Sequence, residues 1–404
     1  MTTAAPRICC LDLDTFFVSV ERLLDPSLVG EAVIVGGRKG QRGVVTACSY
    51  EARDFGVRSG MSLTKAAELA PKAVFMPATS GVYSDYAQKV RDLAADTTPV
   101  LQVASIDEMY LDYSGCEALY RESFDASPDE TIERVVRELT MRIRSELGLP
   151  SSAGIATSKR VAKIACGLAK PAGVMLVPAG DERQLLEPLP VRKLPGIGPV
   201  AERRLHERGI ETLGQLAEQE PRRMSRVFGA WTDSVLEGAR GIGSHDLQKD
   251  RPAFREHDRP GDVVGSISNE RTFREDVSNP RVLESQLCSL AERVCWRARK
   301  RGVLARTVTV KLRYSDFETL SRARTLAPTS SELEVYPVVR ALFRQHRTGR
   351  RRVRLLGVAL SKLEPAKQQL DLFDEDRCVN ESVDRIRAKY GFDAVRRALS
   401  HGRR

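Results

Sequence analysis

Two short apolar runs, each ending in carboxylates, constrain this chain more than any other feature. Arg7-Ile8-Cys9-Cys10-Leu11 leads into Asp12, and Val100-Leu101-Gln102-Val103-Ala104 leads through Ser105-Ile106 into Asp107 and Glu108. Both read as buried strands. Acids at adjacent strand ends repel one another unless cations sit between them. Hard oxygen ligands completed by substrate phosphates are the Mg²⁺ pattern, and two-metal phosphoryl or nucleotidyl transfer requires that arrangement. Asp107 and Glu108 are neighbours, so on a regular strand they point to opposite faces. For both to serve one site the backbone must turn or bulge there. A hairpin bend is therefore expected, with Asp12 on the adjacent strand.

The 404 residues suffice for two to four domains. A formal net charge of +10 favours a polyanionic partner, nucleic acid first. The eight cysteines form no CxxC pair and no Cys/His cluster of zinc spacing. With no signal peptide and no apolar run of membrane-spanning length, a cytoplasmic protein with reduced thiols is expected.

Along the chain, a strand at 7–13 runs into an amphipathic helix, Phe16 to Leu24, and a Gly- and Arg-rich insertion occupies 30–78. A helix at about 81–96, strands on either side of Asp107-Glu108, a helix at 129–147 and a strand at 152–156 follow. Without the insertion the order is βαββαβ, a ferredoxin-like split unit. Leu194-Pro195-Gly196-Ile197-Gly198-Pro199 is a helix-hairpin-helix signature, whose Gly196 and Gly198 let backbone N–H groups approach a phosphate. Residues 244–262 read as a polar linker. A second βαββαβ pattern follows: strand 263–273, helix 279–300, strands 305–314 and 318–326, helix 332–345, strand 352–362. The polar face of alternating Thr307 to Tyr314, joined by Arg322 and Arg324 of the next strand, is expected to follow a phosphate backbone. In the polar tail, Gln369-Leu370-Asp371-Leu372-Phe373 reads as a short docking motif, and a last amphipathic helix spans about Val379 to Leu399. The fold class is α+β.

Taken together these segments resemble the Y-family of translesion DNA polymerases, its polymerase IV-like branch in particular. Cys10-Leu11-Asp12-Leu13-Asp14-Thr15-Phe16-Phe17 looks like that family's first metal motif, and Tyr50-Glu51-Ala52-Arg53 with Phe55 to Met61 like its fingers motif. Ser105 to Asp112 is similar to its catalytic hairpin. Gly154-Ile155-Ala156, Ala162-Lys163-Ile164-Ala165 and Lys170-Pro171-Ala172-Gly173 look like the stretch closing the palm. The resemblance implies a right-hand polymerase: palm at 1–15 and 79–170, fingers at 16–78, thumb at 171–243, linker at 244–262, little finger at 263–364 and tail at 365–404. It implies addition of dNMP to a primer 3′ end on a template; proofreading is expected to be absent, since no region is left over for an exonuclease domain, and a monomer is expected.

By resemblance, Asp12 and Asp107 bridge two Mg²⁺ ions (Mn²⁺ as substitute), the Leu13 carbonyl completes the nucleotide-side site, and Glu108 holds the metal at the primer 3′-OH. Tyr50, Arg53 and Lys163 match positions that contact the triphosphate. Phe17 falls on the steric-gate position that excludes a 2′-OH, with Phe16 beside the same sugar. Asp14 is assigned a structural role such as capping the helix at Phe16. Ala47 stands where many relatives carry a hydroxyl, so either that contact is absent or Thr46 or Ser49 supplies it. Gln369, Leu370, Leu372 and Phe373 are similar to the bacterial sliding-clamp-binding peptide, which implies the clamp as a partner beside primer–template DNA and dNTP. The competing readings are a catalytically dead paralogue, against which all three acids speak, and a nuclease or cyclase on a similar palm.

Overall fold

Strand β1 (Ile8–Leu13) is apolar but for its single acid, Asp12, and it sits at the centre of a five-stranded sheet. Helix α1 (Phe16–Leu24) follows through Thr15, which takes a left-handed conformation and makes no side-chain cap. Next comes a small module of β2 (Val33–Val35), β3 (Ala47–Cys48), α2 (Tyr50–Asp54), α3 (Leu63–Leu69) and β4 (Val74–Met76) around its own three-stranded sheet. The two short helices, absent from the sequence reading, are each started by a serine: Ser49 Oγ accepts from Ala52 N–H and Ser62 Oγ from Lys65 N–H.

The chain then returns to the first sheet through α4 (Val82–Ala95), β5 (Val100–Val103), β6 (Glu108–Asp112), α5 (Glu117–Tyr120), α6 (Pro128–Leu147), β7 (Ser151–Ala156), α7 (Lys159–Ala169) and β8 (Val174–Leu176). The strand order β5-β6-β1-β7-β8 is the ferredoxin-like order with β8 added parallel to β7. Alternation sorts the side chains. Cys9, Leu11, Leu13, Met109 and Leu111 bury against α4 and α6, whereas Ile8, Cys10 and Tyr110 bury against α7. Each fully buried aliphatic side chain contributes roughly 1.5–3 kcal/mol. Helix α7 can approach β7 closely only because residue 154 is glycine. A Cβ there would lie 2.1 Å from Cys166 N and 2.2 Å from Ala162 O.

Five short helices extend the α7-side core: α8 (Glu182–Leu186), α9 (Pro199–His206), α10 (Leu213–Ala217), α11 (Pro221–Phe228) and α12 (Thr232–Ala239). The Arg160 guanidinium pins α12 by donating to Ser234 Oγ at 2.9 Å. The start of the expected linker is tied down as well. Gln102 Nε2 donates to Leu247 O and Lys159 N–H to Ser244 O, both at 3.0 Å.

This computed structural model describes residues 5–79, 81–247, 265–349, 351–366 and 375–400. It divides into two compact units, Met1–Glu256 and His257–Arg404. The second unit runs β9 (Ser266–Val277), α13 (Pro280–Lys300), β10 (Val303–Tyr314), β11 (Thr319–Thr329), α14 (Glu332–His346), β12 (Val353–Pro365) and α15 (Glu375–Tyr390). Its element order is the expected βαββαβ, but the antiparallel sheet is ordered β11-β10-β12-β9, unlike the first sheet. Helices α13 and α14 cover one face.

Two expectations fail in this unit. Arg322 and Arg324 pair with Val310 and Val308 across β10/β11, so they stand on the helix-covered side of the sheet. The open face carries Thr307, Thr309, Lys311 and Arg313, with Ser321, Ala323 and Thr325 opposite them on β11. A one-residue difference in register moves every side chain to the other face, and alternation alone does not reveal it. The final helix is also shorter than the expected Val379 to Leu399: α15 stops at Tyr390, where Gly391 adopts φ +91°.

Candidate active site

Asp12 and Glu108 face each other as Cα partners across β1 and β6, on the α7 side. The backbone does bend before Glu108: Ala104 and Ser105 N–H both donate to Glu108 O, at 2.9 and 3.0 Å, and β6 begins only at Glu108. Asp107 sits in this bend, its carboxylate accepting from Ser105 Oγ. The bend is stitched to β1, since Leu13 N–H donates to Asp107 O at 2.9 Å.

Each of the two facing carboxylates already holds a cation. Lys163 of α7 binds Glu108, and Lys170, just beyond α7, binds Asp12 and lies 3.5 Å from Asp14. Desolvation works against both ammonium groups, but the hydrogen bonds and charges of Glu108 and Asp12 outweigh it and raise their pKa values. For Asp12 the balance tips the other way. Burial, reinforced by Asp107 and Glu108 and only partly offset by Lys170, pushes its carboxyl up to about 6.

Asp14 is 1% exposed and does not cap α1. Its Oδ2 accepts from Ser152 Oγ and Ala172 N–H, both at 2.7 Å, while Oδ1 lies 3.5 Å from Tyr50 Oη. It therefore ties β7, the 170–173 loop and α2 together. Burial, then the Asp14 charge, raises the Tyr50 pKa. Arg53 covers the Tyr50 ring at 4.9 Å. Of the two hydroxyls that were alternatives to Ala47, Ser49 is 0% exposed and committed to its helix cap, so it cannot serve as a surface donor.

Phe16 is 2% exposed and belongs to the sheet core. Phe17 is partly exposed and stacks on Tyr83 of α4, centroids 4.2 Å apart and planes at 18°. Lys170 and Tyr83 are the residues that sequence reasoning left out. Lys170 opens the Lys-Pro-Ala-Gly stretch, yet nothing in that stretch signals the 158-residue contact to Asp12.

The donor set is one that holds hard divalent cations: carboxylate oxygens at one end of a sheet, attracting ammonium groups. Among the described residues, however, no three acidic, thiol or imidazole side chains are gathered closely enough to hold a metal outright. The carboxylates of Asp12, Glu108 and Asp107 are engaged with Lys170, Lys163 and Ser105.

Away from this centre, Gly196 sits at φ +99°, which only glycine adopts without strain. Gly198 at φ −91° could be any residue, and a Cβ on either would meet nothing within 4 Å. It ends the turn into α9, whose first turn leaves backbone N–H groups without an intrahelical partner. Gln369, Leu370, Leu372 and Phe373 lie outside the described residues. Among the described residues, no helix is long and apolar enough to cross a membrane.

The chain matches the impB/mucB/samB family over residues 11–167, the C-terminal domain of that family over 264–372, and the IMS family HHH motif over 179–210. It is 38% identical over 400 residues to a DNA polymerase IV of Dehalococcoides mccartyi (strain CBDB1), covering 96% of each chain. It is also 38% identical over 373 residues to a DNA polymerase IV of Opitutus terrae, covering 92% of this chain and 90% of that one. Among solved structures it resembles a Y-family DNA polymerase chimera, Dbh-Dpo4(243-245)-Dbh, with a TM-score of 0.74. An insertion ternary complex of Dbh DNA polymerase gives a TM-score of 0.58. Both are 25% identical and cover 88% of this chain and 98% of theirs.

Proposed function

The chain belongs to the impB/mucB/samB family, the Y-family translesion DNA polymerases, and we propose that Asp12, Asp107 and Glu108 form its catalytic centre. It is a DNA-directed DNA polymerase that depends on divalent metal. These acids and the Leu13 carbonyl would hold two Mg²⁺ ions, with Mn²⁺ as a substitute, and the ions would supply Lewis acidity at the primer 3′-OH and offset triphosphate charge. The observation that carries this reading is the pairing of Asp12 with Glu108 across β1 and β6, each compensated by a lysine.

The remaining roles follow from what each side chain can do. Tyr50, Arg53 and Lys163 donate to the triphosphate, where cationic and hydroxyl donors stabilise developing negative charge. Lys170, which binds Asp12 at the same end of the sheet, joins them. Phe17 is the ring under the sugar, with the buried Phe16 packed behind it rather than beside the nucleotide. The Gly196–Gly198 turn approaches a DNA phosphate, Gly198 being a glycine that the fold itself does not require. The open face of the second unit's sheet is the DNA-facing one, its small and hydroxyl side chains admitting a close backbone. Arg322 and Arg324, on the edge strand β11, act by general attraction. Gln369, Leu370, Leu372 and Phe373 tether a monomer to the sliding clamp in the cytoplasm, a reading supported by sequence alone.

Primer extension tests the core of this reading. The wild type extends a primed template with dNTPs and Mg²⁺, and Asp107→Ala loses that extension. A wild type that extends no primed template overturns the proposal. Deleting 369–373 abolishes stimulation by clamp and spares basal extension; undiminished stimulation removes the tether.

A further inference from the structure

Glu21 is 3% exposed, and the groups that donate to its carboxylate are neutral. Tyr83 Oη donates to its Oε1, Thr79 N–H reaches the same oxygen at 3.2 Å, and Thr79 Oγ1 donates to Oε2 at 3.1 Å. Thr79 N–H also reaches Tyr83 Oη at 2.9 Å, closing the cluster. A buried carboxylate is costly unless hydrogen-bonded, and here these donors hold it. A carboxylate only accepts, which fixes the direction of every donor around it.

What this cluster fixes is the Tyr83 ring. That ring lies flat on Phe17, with centroids 4.2 Å apart, and edge-on to Phe16, at 6.2 Å and 61°. Glu21 and Phe17 are four residues apart on α1 and thus on the same side of the helix. Burial, then the Glu21 hydrogen bond, pushes the Tyr83 hydroxyl up to about 12, so it stays a donor at working pH.

We propose that Glu21 is a positioning residue for sugar selection: with Thr79 it locks the Tyr83 ring, and that ring sets how far the Phe17 ring can yield to a 2′-OH. The proposal rests on the reading of Phe17 as the steric gate. A single extra oxygen is rejected only if the ring beneath it does not retreat by a fraction of an ångström, since contact energies change steeply over that distance. The stack supplies the backing, and the Glu21–Thr79 bonds keep it from sliding.

The test compares kcat/KM for one dNTP and the matching rNTP in the full-length enzyme. Phe17→Ala should remove most of the discrimination. Glu21→Ala and Tyr83→Phe should each lower the dNTP:rNTP ratio about tenfold, the effect of losing one hydrogen bond to a charged group. Glu21→Gln, which keeps one acceptor oxygen, should recover part of the ratio. A merely structural Glu21 slows both substrates alike, and a wild-type ratio in Tyr83→Phe and Glu21→Ala overturns the inference while Phe17→Ala still relaxes selection. An unchanged ratio in Phe17→Ala itself removes the gate and the inference with it. Should Glu21→Ala fail to fold, Tyr83→Phe carries the test, because it deletes only the hydroxyl.

Discussion

Replacing Arg387 tests whether the C-terminal segment is a tail or a part of the second unit. Helix α15 packs with its polar side inward. Arg387 and Glu292 of α13 are each 1% exposed at the side chain and 3.2 Å apart, and Glu332 lies 3.8 Å from the same guanidinium. Arg387 also donates to Val395 O at 3.1 and 3.2 Å and covers the Phe392 ring at 4.5 Å. Removing the guanidinium leaves Glu332 with Arg299 at 2.6 Å but strips Glu292 of its cation. Breaking one side of a buried pair costs about 3–5 kcal/mol. For a unit of this size Arg387→Met should therefore lower the melting temperature by roughly 10–20 °C. The chain has two tryptophans. Trp296 packs on Phe392 at 5.4 Å, so a Trp231→Phe background makes its fluorescence report this unit alone. Arg387→Leu with Glu292→Leu should recover most of the loss, because an apolar pair replaces a buried ion pair at little cost. A shift in the single variant below about 2 °C, or no recovery in the double, refutes the reasoning.

Four further outcomes are expected. The Asp12 carboxyl holds its proton up to about 6 in the folded state, against about 3.9 in an unfolded chain. Proton and metal then compete, so Mg²⁺ or Mn²⁺ affinity measured by calorimetry should fall about tenfold per pH unit below 6 and level off above it; a flat profile from pH 5 to 8 refutes this. By the same linkage the folded state binds more protons, so this group costs stability at neutral pH, and the metal-free protein regains it as pH falls from about 6 to 4. Gly198→Ala should leave the melting temperature unchanged or slightly raised while weakening primer–template binding about tenfold in a fluorescence-anisotropy titration; equal affinity refutes a close phosphate approach. Ala359→Glu, on the open face of the second sheet, should weaken DNA more than Arg322→Ala does, and the reverse order would return the arginines to the interface.

The metal-motif strands were legible because strand ends bearing acids constrain themselves: the run into Asp12 and the bend before Glu108 both occur as read. The face of Arg322 was not legible. It depends on the pairing of Arg322 with Val310, and β10 carries a register irregularity between Ala305 and Thr307 that no local pattern announces. The inward polarity of α15 was hidden for a related reason. An Arg387 in isolation reads as solvated, and its partner Glu292 is 95 residues away. Short helices such as α2 depend on a single serine cap and too few residues for periodicity to speak.

The lysines beneath the acids explain how such a site can exist in a folded chain at all. Asp12, Asp14, Asp107 and Glu108 converge on one end of a sheet whose core is apolar, and charges so placed destabilise the fold unless compensated. Lys163 and Lys170 provide that compensation from a single helix and the turn that follows it, held close by Gly154. Compensation from flexible, partly exposed ammonium groups (42% and 26% exposed) is reversible in a way that a buried arginine fork is not. The contrast with Arg387 shows the difference in purpose. There the guanidinium is 1% exposed and anchored to backbone oxygen, a permanent part of the unit. At the acids, the cations are of the kind that can be exchanged for others when substrate brings its own negative charge. If these acids hold the metal as proposed, a site balanced this way would favour metal together with triphosphate over metal alone, since displaced lysines would then have phosphate oxygens to turn to.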